Sequence, residues 1–259
     1  MLISLGRAVL SFIRYLGELA LLAADTATSI VVAPFRWRLL FRQLAEIGFR
    51  SQTVVIVTGM FTGAVLTAQT YFQFSKLGMA TAVGSVVSVS LFRELGPTLT
   101  GLMVAGRAGA SIAAEIGTMK VTEQIDALRA IGVHPTDYLV VPRVLALLIS
   151  MPLLVAESVA LGVFASYLVG TELLGINGPY FMHNLKAYTS GRDIKMALTK
   201  GFVFAVIIAV VSCHQGLHTK DGAVGVGRAP TEAIVISSLS ILIVNFFLTF
   251  ALNMIFPAG

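Results

Sequence analysis

An arginine and a glutamate stand side by side in the stretch Phe92-Arg93-Glu94-Leu95-Gly96-Pro97, within a largely apolar chain. Ionisable groups at membrane depth are costly, so they usually pair with each other or face a polar cavity. Pro97 marks a helix start, where the helix dipole favours a negative charge such as that of Glu94. A second interpretation stays open, in which Glu94 caps the helix and Arg93 extends its charge to the membrane surface.

Three more charged residues fall inside apolar stretches that predict membrane helices: Arg107, Glu115 and Glu157. Arg107 and Glu115 are eight residues apart, which places them about 12 Å apart along a helix and on nearly the same face. Structural pairing inside a helix bundle is the favoured interpretation for all three. The alternative is a relay in an ion- or proton-coupled transporter that acts alone.

Three patterns resemble enzyme or metal sites but leave them incomplete. Ser111 and His214 could serve an intramembrane hydrolase, which is a distant alternative. His214 and His218 have the i, i+4 spacing of metal ligands, but no third ligand is evident, so no metal site is expected. Residues 222–229 have the spacing of a phosphate loop but continue with Arg-Ala, and no strand precedes them. The chain is therefore not expected to be an enzyme, and residues 218–231 predict a short glycine-rich loop.

A polar segment at 118–137 has a regular pattern. Within it, residues 120–131 predict a short amphipathic helix with Val121, Ile125 and Leu128 on one side. Gly132 ends this helix and Pro135 prevents its resumption. A soluble partner could bind such a helix and so move the flanking spans. The candidate contact residues are Glu123, Gln124, Asp126, Leu128 and Arg129.

The composition indicates that these elements lie in a membrane. The chain has 259 residues, of which 56% are hydrophobic and 12% charged, whereas soluble domains carry roughly 25% charged residues. The single cysteine, Cys213, lies in an apolar run and is expected to be a small buried residue. The composition predicts an all-α integral membrane protein, and its net charge of +5 reflects basic residues beside a membrane rather than nucleic-acid binding.

Periodicity indicates a single domain, 1–259, with 1–50 at the membrane interface and 51–257 as the transmembrane bundle. Residues 1–33 predict a helix, ended by Pro34, whose charged stripe favours a position in the membrane interface over a first span. Residues 35–50 are basic and aromatic and predict a cytoplasmic-side anchor. Five spans are predicted at about 52–73, 97–117, 143–170, 198–217 and 233–256.

Small residues mark close helix packing in the first two spans. Gly59 and Gly63 form a GxxxG pattern, and Ala105/Gly109 and Gly106/Ala110 repeat the spacing. Residues 76–92 fit either a re-entrant helix or an extension of the second span. Eleven of the 18 Lys and Arg residues fall on the N-terminal side of the predicted topology and six on the other, so the N-terminus is predicted to be cytoplasmic and the C-terminus periplasmic.

Several sequence blocks together resemble the MlaE-type permeases, which include the YrbE proteins of Mce systems and a chloroplast lipid-import permease. The resemblance extends in order over residues 50–257. Its blocks are Gln52-Thr53-Val54, Thr58-Gly59-Met60-Phe61-Thr62-Gly63, Phe92-Arg93-Glu94-Leu95-Gly96-Pro97, Ala105-Gly106-Arg107-Ala108-Gly109-Ala110, Ala114-Glu115-Ile116-Gly117-Thr118-Met119, Thr122-Glu123-Gln124 and Gly225-Val226-Gly227-Arg228-Ala229.

The resemblance implies a homodimeric permease subunit of an ABC transporter in the inner membrane of a Gram-negative bacterium, moving phospholipid between the inner and outer membranes. ATP and Mg²⁺ would bind a separate MlaF-like ATPase, and no cofactor is expected on this chain. The other implied partners are an MlaB-like STAS-domain protein and an MlaD-like periplasmic MCE ring. The resemblance also implies a lipid headgroup site at Arg93, Glu94, Leu95 and Lys200; alone, Lys200 would be interpreted as an interface anchor.

Overall fold

The computed structural model describes residues 2–32 and 36–256, and every regular element in these ranges is helical. The prediction that Pro34 ends the first helix concerns a residue outside the described ranges. The α-helices are α1 (Leu2–Val32), α2 (Trp37–Gln43), α3 (Gln52–Phe74), α4 (Val83–Ser90), α5 (Gly96–Val104), α6 (Ala110–Val121), α7 (Gln124–Ala130), α8 (Val141–Leu168), α9 (Gly178–Tyr188), α10 (Gly191–Leu217) and α11 (Gly222–Ile255).

Within the described residues, five helical stretches are long and apolar enough to cross a membrane: Val9–Val32, Trp37–Leu77, Thr136–Leu173, Gly191–Leu217 and Gly222–Ile255. The prediction of an all-α integral membrane protein is confirmed. Four of these stretches contain the predicted spans at 52–73, 143–170, 198–217 and 233–256. The predicted span at 97–117 is not among the five, because its many Gly, Ser and Thr residues and its charges lower its hydropathy.

The predicted second span belongs to one long helix that extends from Val83 to Val121. It consists of α4, α5 and α6, joined by π-helical turns at Leu91–Leu95 and Ala105–Gly109. At its start Gly84 packs against Phe181, and near its end Gly117 packs against Thr219. Phe181 lies in α9, which precedes α10, and Thr219 follows α10, so the long helix extends along the bundle beside α10. Residues 83–92 therefore extend the second span, and the re-entrant alternative is wrong.

The GxxxG pattern of α3 allows backbone contact with α8, as predicted. A Cβ atom on Gly59 would lie 2.6 Å from the carbonyl oxygen of Ser158, and one on Gly63 would lie 2.0 Å from that of Gly162. Neither space could hold a side chain, so the two helices touch through their backbones. The matching order of the pairs shows that α3 and α8 are parallel.

The second small-residue prediction is half correct. A Cβ atom on Gly109 would lie 2.8 Å from Oγ of Ser212 on α10, whereas Gly106 faces space with no other atom within 4 Å. The main buried core lies where α8 and α10 meet α5 and α6, and it includes Cys213 as expected.

Two boundaries differ from the sequence predictions. Residues 222–231 are not a loop, because α11 begins at Gly222 and continues through Pro230. A backbone in the left-handed region at Asp221 and Gly222 turns the chain into this helix. The predicted helix at 120–131 is shorter, because α6 includes Lys120 and the left-handed Glu123 (φ 59°) separates it from α7.

The N-terminal helix α1 lies across one end of the bundle. Tyr15 receives a hydrogen bond from Gln215, and Asp25 accepts one from Thr136 at 2.6 Å. Tyr15 therefore contacts the last residues of α10, and Asp25 contacts the residues just before α8. Both contacts are at the same end of the bundle. This geometry supports the predicted interfacial position over a span with a buried stripe.

Candidate functional site

The predicted lipid-site residues meet at the end of the bundle opposite to α1. Lys200 of α10 is fully buried, and its Nζ lies 2.8 Å from Oε2 of Glu94. The same Nζ donates to the carbonyl oxygen of Arg93 at 2.7 Å and to Oγ1 of Thr249 at 2.9 Å. Because an ammonium group has three donors, protein atoms satisfy Lys200 completely.

Glu94 is the centre of this polar cluster. Its Oε2 also accepts a hydrogen bond from Nδ2 of Asn245, and its Oε1 accepts one from Oγ1 of Thr249, both at 2.9 Å. Asn245 and Thr249 are one turn apart on α11. The carboxylate therefore joins the π-helical turn at Leu91–Leu95 to both α10 and α11.

Arg93 is held by a second acidic residue. Its Nε donates to Oδ1 of Asp193 at 2.6 Å, and the Asp193 side chain is fully buried. The other oxygen of Asp193 accepts hydrogen bonds from the backbone N–H and the hydroxyl of Ser190. The Ser190 hydroxyl oxygen accepts one from the backbone N–H of Asp193, so the two residues form a capping box at the start of α10. The carboxylate therefore fixes both the helix start and the arginine.

The two terminal amino groups of Arg93 are free to bind a further group. Among the described residues they form no hydrogen bond or ion pair, and 31% of the side chain is exposed. A guanidinium offers five donors, of which the Nε donor alone is used here. Arg93 is thus oriented by Asp193 while its planar fork stays available for an anion.

Leu95 faces a different surface from its two charged neighbours. It lines a mostly apolar groove of about 440 Å³ beside α3, together with Phe61, Thr62, Val65, Leu66 and Gln69. Phe61 and Val65 are exposed. The three consecutive residues therefore border a charged cluster on one side and an apolar groove on the other.

Arg107 and Glu115 do not contact each other, but each forms a structural pairing inside the bundle, as expected. Arg107 donates to Oγ of Ser51 at 2.9 Å and to the carbonyl oxygen of Glu46 at 3.2 Å. Glu115 instead pairs with Arg143 on α8 at 2.6 Å. Each charge therefore has its own structural partner, and the two are not arranged as a relay.

Glu157 on α8 differs from the other two charged residues. Its side chain is half-buried, and within the described part of the chain it forms no hydrogen bond or ion pair. It lies next to the outward-facing Leu153 and Ala156. The pairing expected for Glu157 within this bundle is therefore not observed.

The predicted coupling segment lies at the same end of the bundle as α1. Ile125 is buried and Leu128 is half-buried, so they anchor α7, while Glu123, Gln124, Asp126 and Arg129 are exposed. Asp126 forms ion pairs with Lys120 at 3.1 Å and with Arg129 at 3.2 Å. Just beyond the helix, Ile131 is 74% exposed. An apolar side chain surrounded by exposed charges is typical of a docking surface.

Comparison with known proteins identifies the family of the chain. The family described as Permease MlaE matches residues 40–251. The chain belongs to the MlaE permease family. It is 45% identical to a probable ABC transporter permease protein of Rickettsia felis over 95% of each chain. It is 33% identical to the intermembrane phospholipid transport system permease protein MlaE of Haemophilus influenzae, again over 95% of each.

The chain is also similar to a plant protein. The chain is 37% identical to the protein TRIGALACTOSYLDIACYLGLYCEROL 1, chloroplastic, of Arabidopsis thaliana, over 88% of this chain and 65% of the relative. Family membership makes this MlaE-type chain a transport subunit and a multi-pass membrane protein.

The hydrolase interpretation has no geometric support in this MlaE-type permease. The Nε2 atom of His214 faces Glu18 at 3.3 Å, and Ser111 is exposed elsewhere on α6. The phosphate-loop pattern at 222–229 forms the first two turns of α11 and not a glycine-rich loop between a strand and a helix.

Sequence reasoning missed three residues of the polar cluster: Asp193, Asn245 and Thr249. The Ser190-x-x-Asp193 spacing is a recognisable capping signal. Asn245 and Thr249 are spaced i, i+4, and the other residues of 241–252 are apolar, which marks one polar face. Neither signal names a partner, because the partners come from distant parts of the chain.

Proposed function

We propose that this chain is the permease subunit of an ABC transporter that moves phospholipids between the inner and outer membranes. The observation that carries the proposal is the free guanidinium fork of Arg93, which Asp193 orients and which belongs to the same π-helical turn as the groove-lining Leu95. A phospholipid has the matching chemistry, an anionic phosphate joined to apolar chains. The name of the Haemophilus relative, an intermembrane phospholipid transport permease, supports the same substrate.

In this proposal Arg93 binds the headgroup phosphate, since arginine binds phosphate through two parallel hydrogen bonds. Leu95 and the groove beside α3 receive an acyl chain. Glu94 and Lys200 act differently from the direct lipid contacts first expected, because both are engaged with protein groups. They keep the π-helical turn in place and so position Arg93.

The driving force would come from a separate ATPase, which binds ATP and Mg²⁺. The exposed residues Glu123, Gln124, Asp126 and Arg129, with half-buried Leu128 beneath them, form the proposed docking surface. The coupling segment continues directly into α8, which contacts α3 through backbone atoms at Gly63. A push on α7 would therefore reach the groove through two closely packed helices.

The remaining assembly is proposed from the family. A second copy of the chain would cover part of the exposed apolar surface of α3 and α11, and a STAS-domain protein would join the ATPase. An MCE-domain ring would sit at the end that carries α9. The bacterial inner membrane, with a cytoplasmic N-terminus and a periplasmic C-terminus, is the expected location.

The decisive experiment measures bound phospholipid and ATP hydrolysis. The tagged chain is extracted from its host's membranes, and co-purifying ATPase is assayed in vesicles of phosphatidylethanolamine and phosphatidylglycerol. We expect Arg93→Ala to lower both bound phospholipid and lipid-stimulated hydrolysis by roughly tenfold, because the variant loses one hydrogen-bonded contact between charged groups. Lys195→Ala, which removes an exposed cation on the same helix end, should change neither. Absence of an ATPase, or full lipid binding by Arg93→Ala, would contradict the proposal.

A further inference from the structure

Glu18 and two histidines meet where α1 crosses the end of α10. His214 Nε2 lies 3.3 Å from Oε2 of Glu18, and the rings of His214 and His218 stack with centroids 4.0 Å apart. One possible ligand atom from each residue lies within 4.8 Å of the other two. The third ligand that the sequence did not reveal is therefore supplied by a helix about 200 residues away in the chain.

The orientation of His218 suits metal binding. Its Nδ1 lies 2.9 Å from the carbonyl oxygen of His214, so Nδ1 carries the proton and donates it. The lone pair is then left on Nε2, on the far side of the ring. Metal-binding histidines usually donate their second ring N–H to a carbonyl or carboxylate in this way.

The surroundings of His214 favour a fixed ligand. The residue is buried, and its ring packs against that of Tyr15 in a T-shaped contact with centroids 5.1 Å apart. Tyr15 in turn accepts a hydrogen bond from Gln215. The imidazole is therefore held in position, whereas the exposed His218 and half-exposed Glu18 can adjust around it.

We propose that Glu18, His214 and His218 bind a divalent transition-metal ion of the Zn²⁺ class, which ties α1 to α10. Two histidines and a glutamate are an established zinc donor set, with metal–ligand distances of about 2.0–2.2 Å. Ligand atoms of a tetrahedral site at those distances are roughly 3.5 Å apart, so small rotations of Glu18 and His218 complete the site. Water would fill the fourth position through the exposed side of His218.

The position of the site gives the ion a structural role. The hydrogen bond from Thr136 to Asp25 already attaches α1 next to the coupling segment. A metal at Glu18 adds a second attachment seven residues away, on the same face of α1. With two attachments, α1 can neither rotate nor slide over the end of the bundle, so the metal fixes the helix relative to α7.

The test uses Zn²⁺ alone on the full chain, purified with a histidine-free tag and treated with a chelator. We expect one Zn²⁺ per chain, and a tetrahedral Co²⁺ absorption spectrum in parallel. His218→Ala and Glu18→Gln should each weaken Zn²⁺ binding by at least roughly tenfold. His183→Ala, at the opposite end, and His134→Ala, at the same end but outside the cluster, should bind Zn²⁺ like the unmodified chain.

A melting experiment separates loss of the site from loss of the fold. His218 is exposed, so His218→Ala without metal should have the same Tm as the unmodified chain. Zn²⁺ should raise the Tm of the unmodified chain and leave that of His218→Ala unchanged, because ligands stabilise a protein only where they bind the folded state. No zinc binding by the unmodified chain, or equal binding by the Glu18→Gln/His218→Ala variant, would overturn the proposal.

Discussion

Lys200 and Glu94 form an ion pair in which the two members are unequally buried. Their charged atoms lie 2.8 Å apart, and Lys200 is fully buried whereas 38% of the Glu94 side chain is exposed. Removing Glu94 leaves an unpaired charge that is shielded from solvent, whereas removing Lys200 leaves an unpaired charge that solvent can reach. The pair therefore predicts an asymmetry between substitutions on its two sides.

Glu94→Ala should destabilise the protein more than Lys200→Met. The first leaves a buried ammonium unpaired, at a cost of roughly 3 kcal/mol; the second leaves a carboxylate that still has Asn245 and Thr249 as donors. Thermal unfolding in detergent measures both. The double variant Glu94→Leu/Lys200→Met should regain most of the loss, since an apolar pair can replace a buried ion pair. Equal Tm values for the two single variants would refute the asymmetry.

Gly63→Ala should destabilise the contact between α3 and α8. The added Cβ would lie 2.0 Å from the carbonyl oxygen of Gly162, and a backbone atom cannot move aside as a flexible side chain can. The expected cost is about 1–3 kcal/mol, seen as a lower Tm. Gly106→Ala is the matched control, because its Cβ meets no other atom within 4 Å. A Tm for Gly63→Ala as high as that of the control would exclude the close approach.

Glu123→Lys should weaken binding of the partner ATPase without unfolding the permease. Glu123 is exposed, so charge reversal changes the proposed docking surface and little else. Copurification of the ATPase and lipid-stimulated hydrolysis are the measurements. Lys186→Glu, an exposed charge reversal on α9 at the other end, should leave both intact. Normal copurification with Glu123→Lys would remove Glu123 from the docking surface.

Ser190→Ala should cost about 1 kcal/mol of stability, the usual price of an N-cap. Asp193→Ala should cost more, because it removes the same cap and also leaves Arg93 without its partner. If Asp193 orients the fork of Arg93, bound phospholipid should fall in Asp193→Ala and stay near normal in Ser190→Ala. Equal phospholipid content in the two purified variants would contradict an orienting role for Asp193.

The sequence predicts those features that depend on neighbours along the chain. The spans follow from apolar length, and the close approach at Gly59 and Gly63 follows from small residues one turn apart. Arg93 and Glu94 stand out as a charged pair in an apolar stretch, although charge alone leaves both a helix cap and a lipid site open. All three signals are local, so one sequence without a structure is enough to find them.

Pairing between distant segments could not be predicted in the same way. Nothing in the spacing connects Arg93 to Asp193 or Glu18 to His214, because periodicity gives the face of a helix and not its neighbour. The sequence wrongly predicts a loop at residues 222–231, because glycine disfavours helix. In the structure α11 packs against α6 and α10, and tertiary packing of this kind overrides propensity.

The π-helical turn at Leu91–Leu95 has the geometry of a single inserted residue. One extra residue in a helix rotates all the residues beyond it by about 100° around the helix axis. The side chains of α5 and α6 therefore point in directions different from those in an uninterrupted helix from Val83. A one-residue deletion within the turn should therefore be absorbed as regular α-helix, whereas the same deletion in α5 would misdirect every side chain that follows. Expression and Tm of the two deletion variants would distinguish these outcomes.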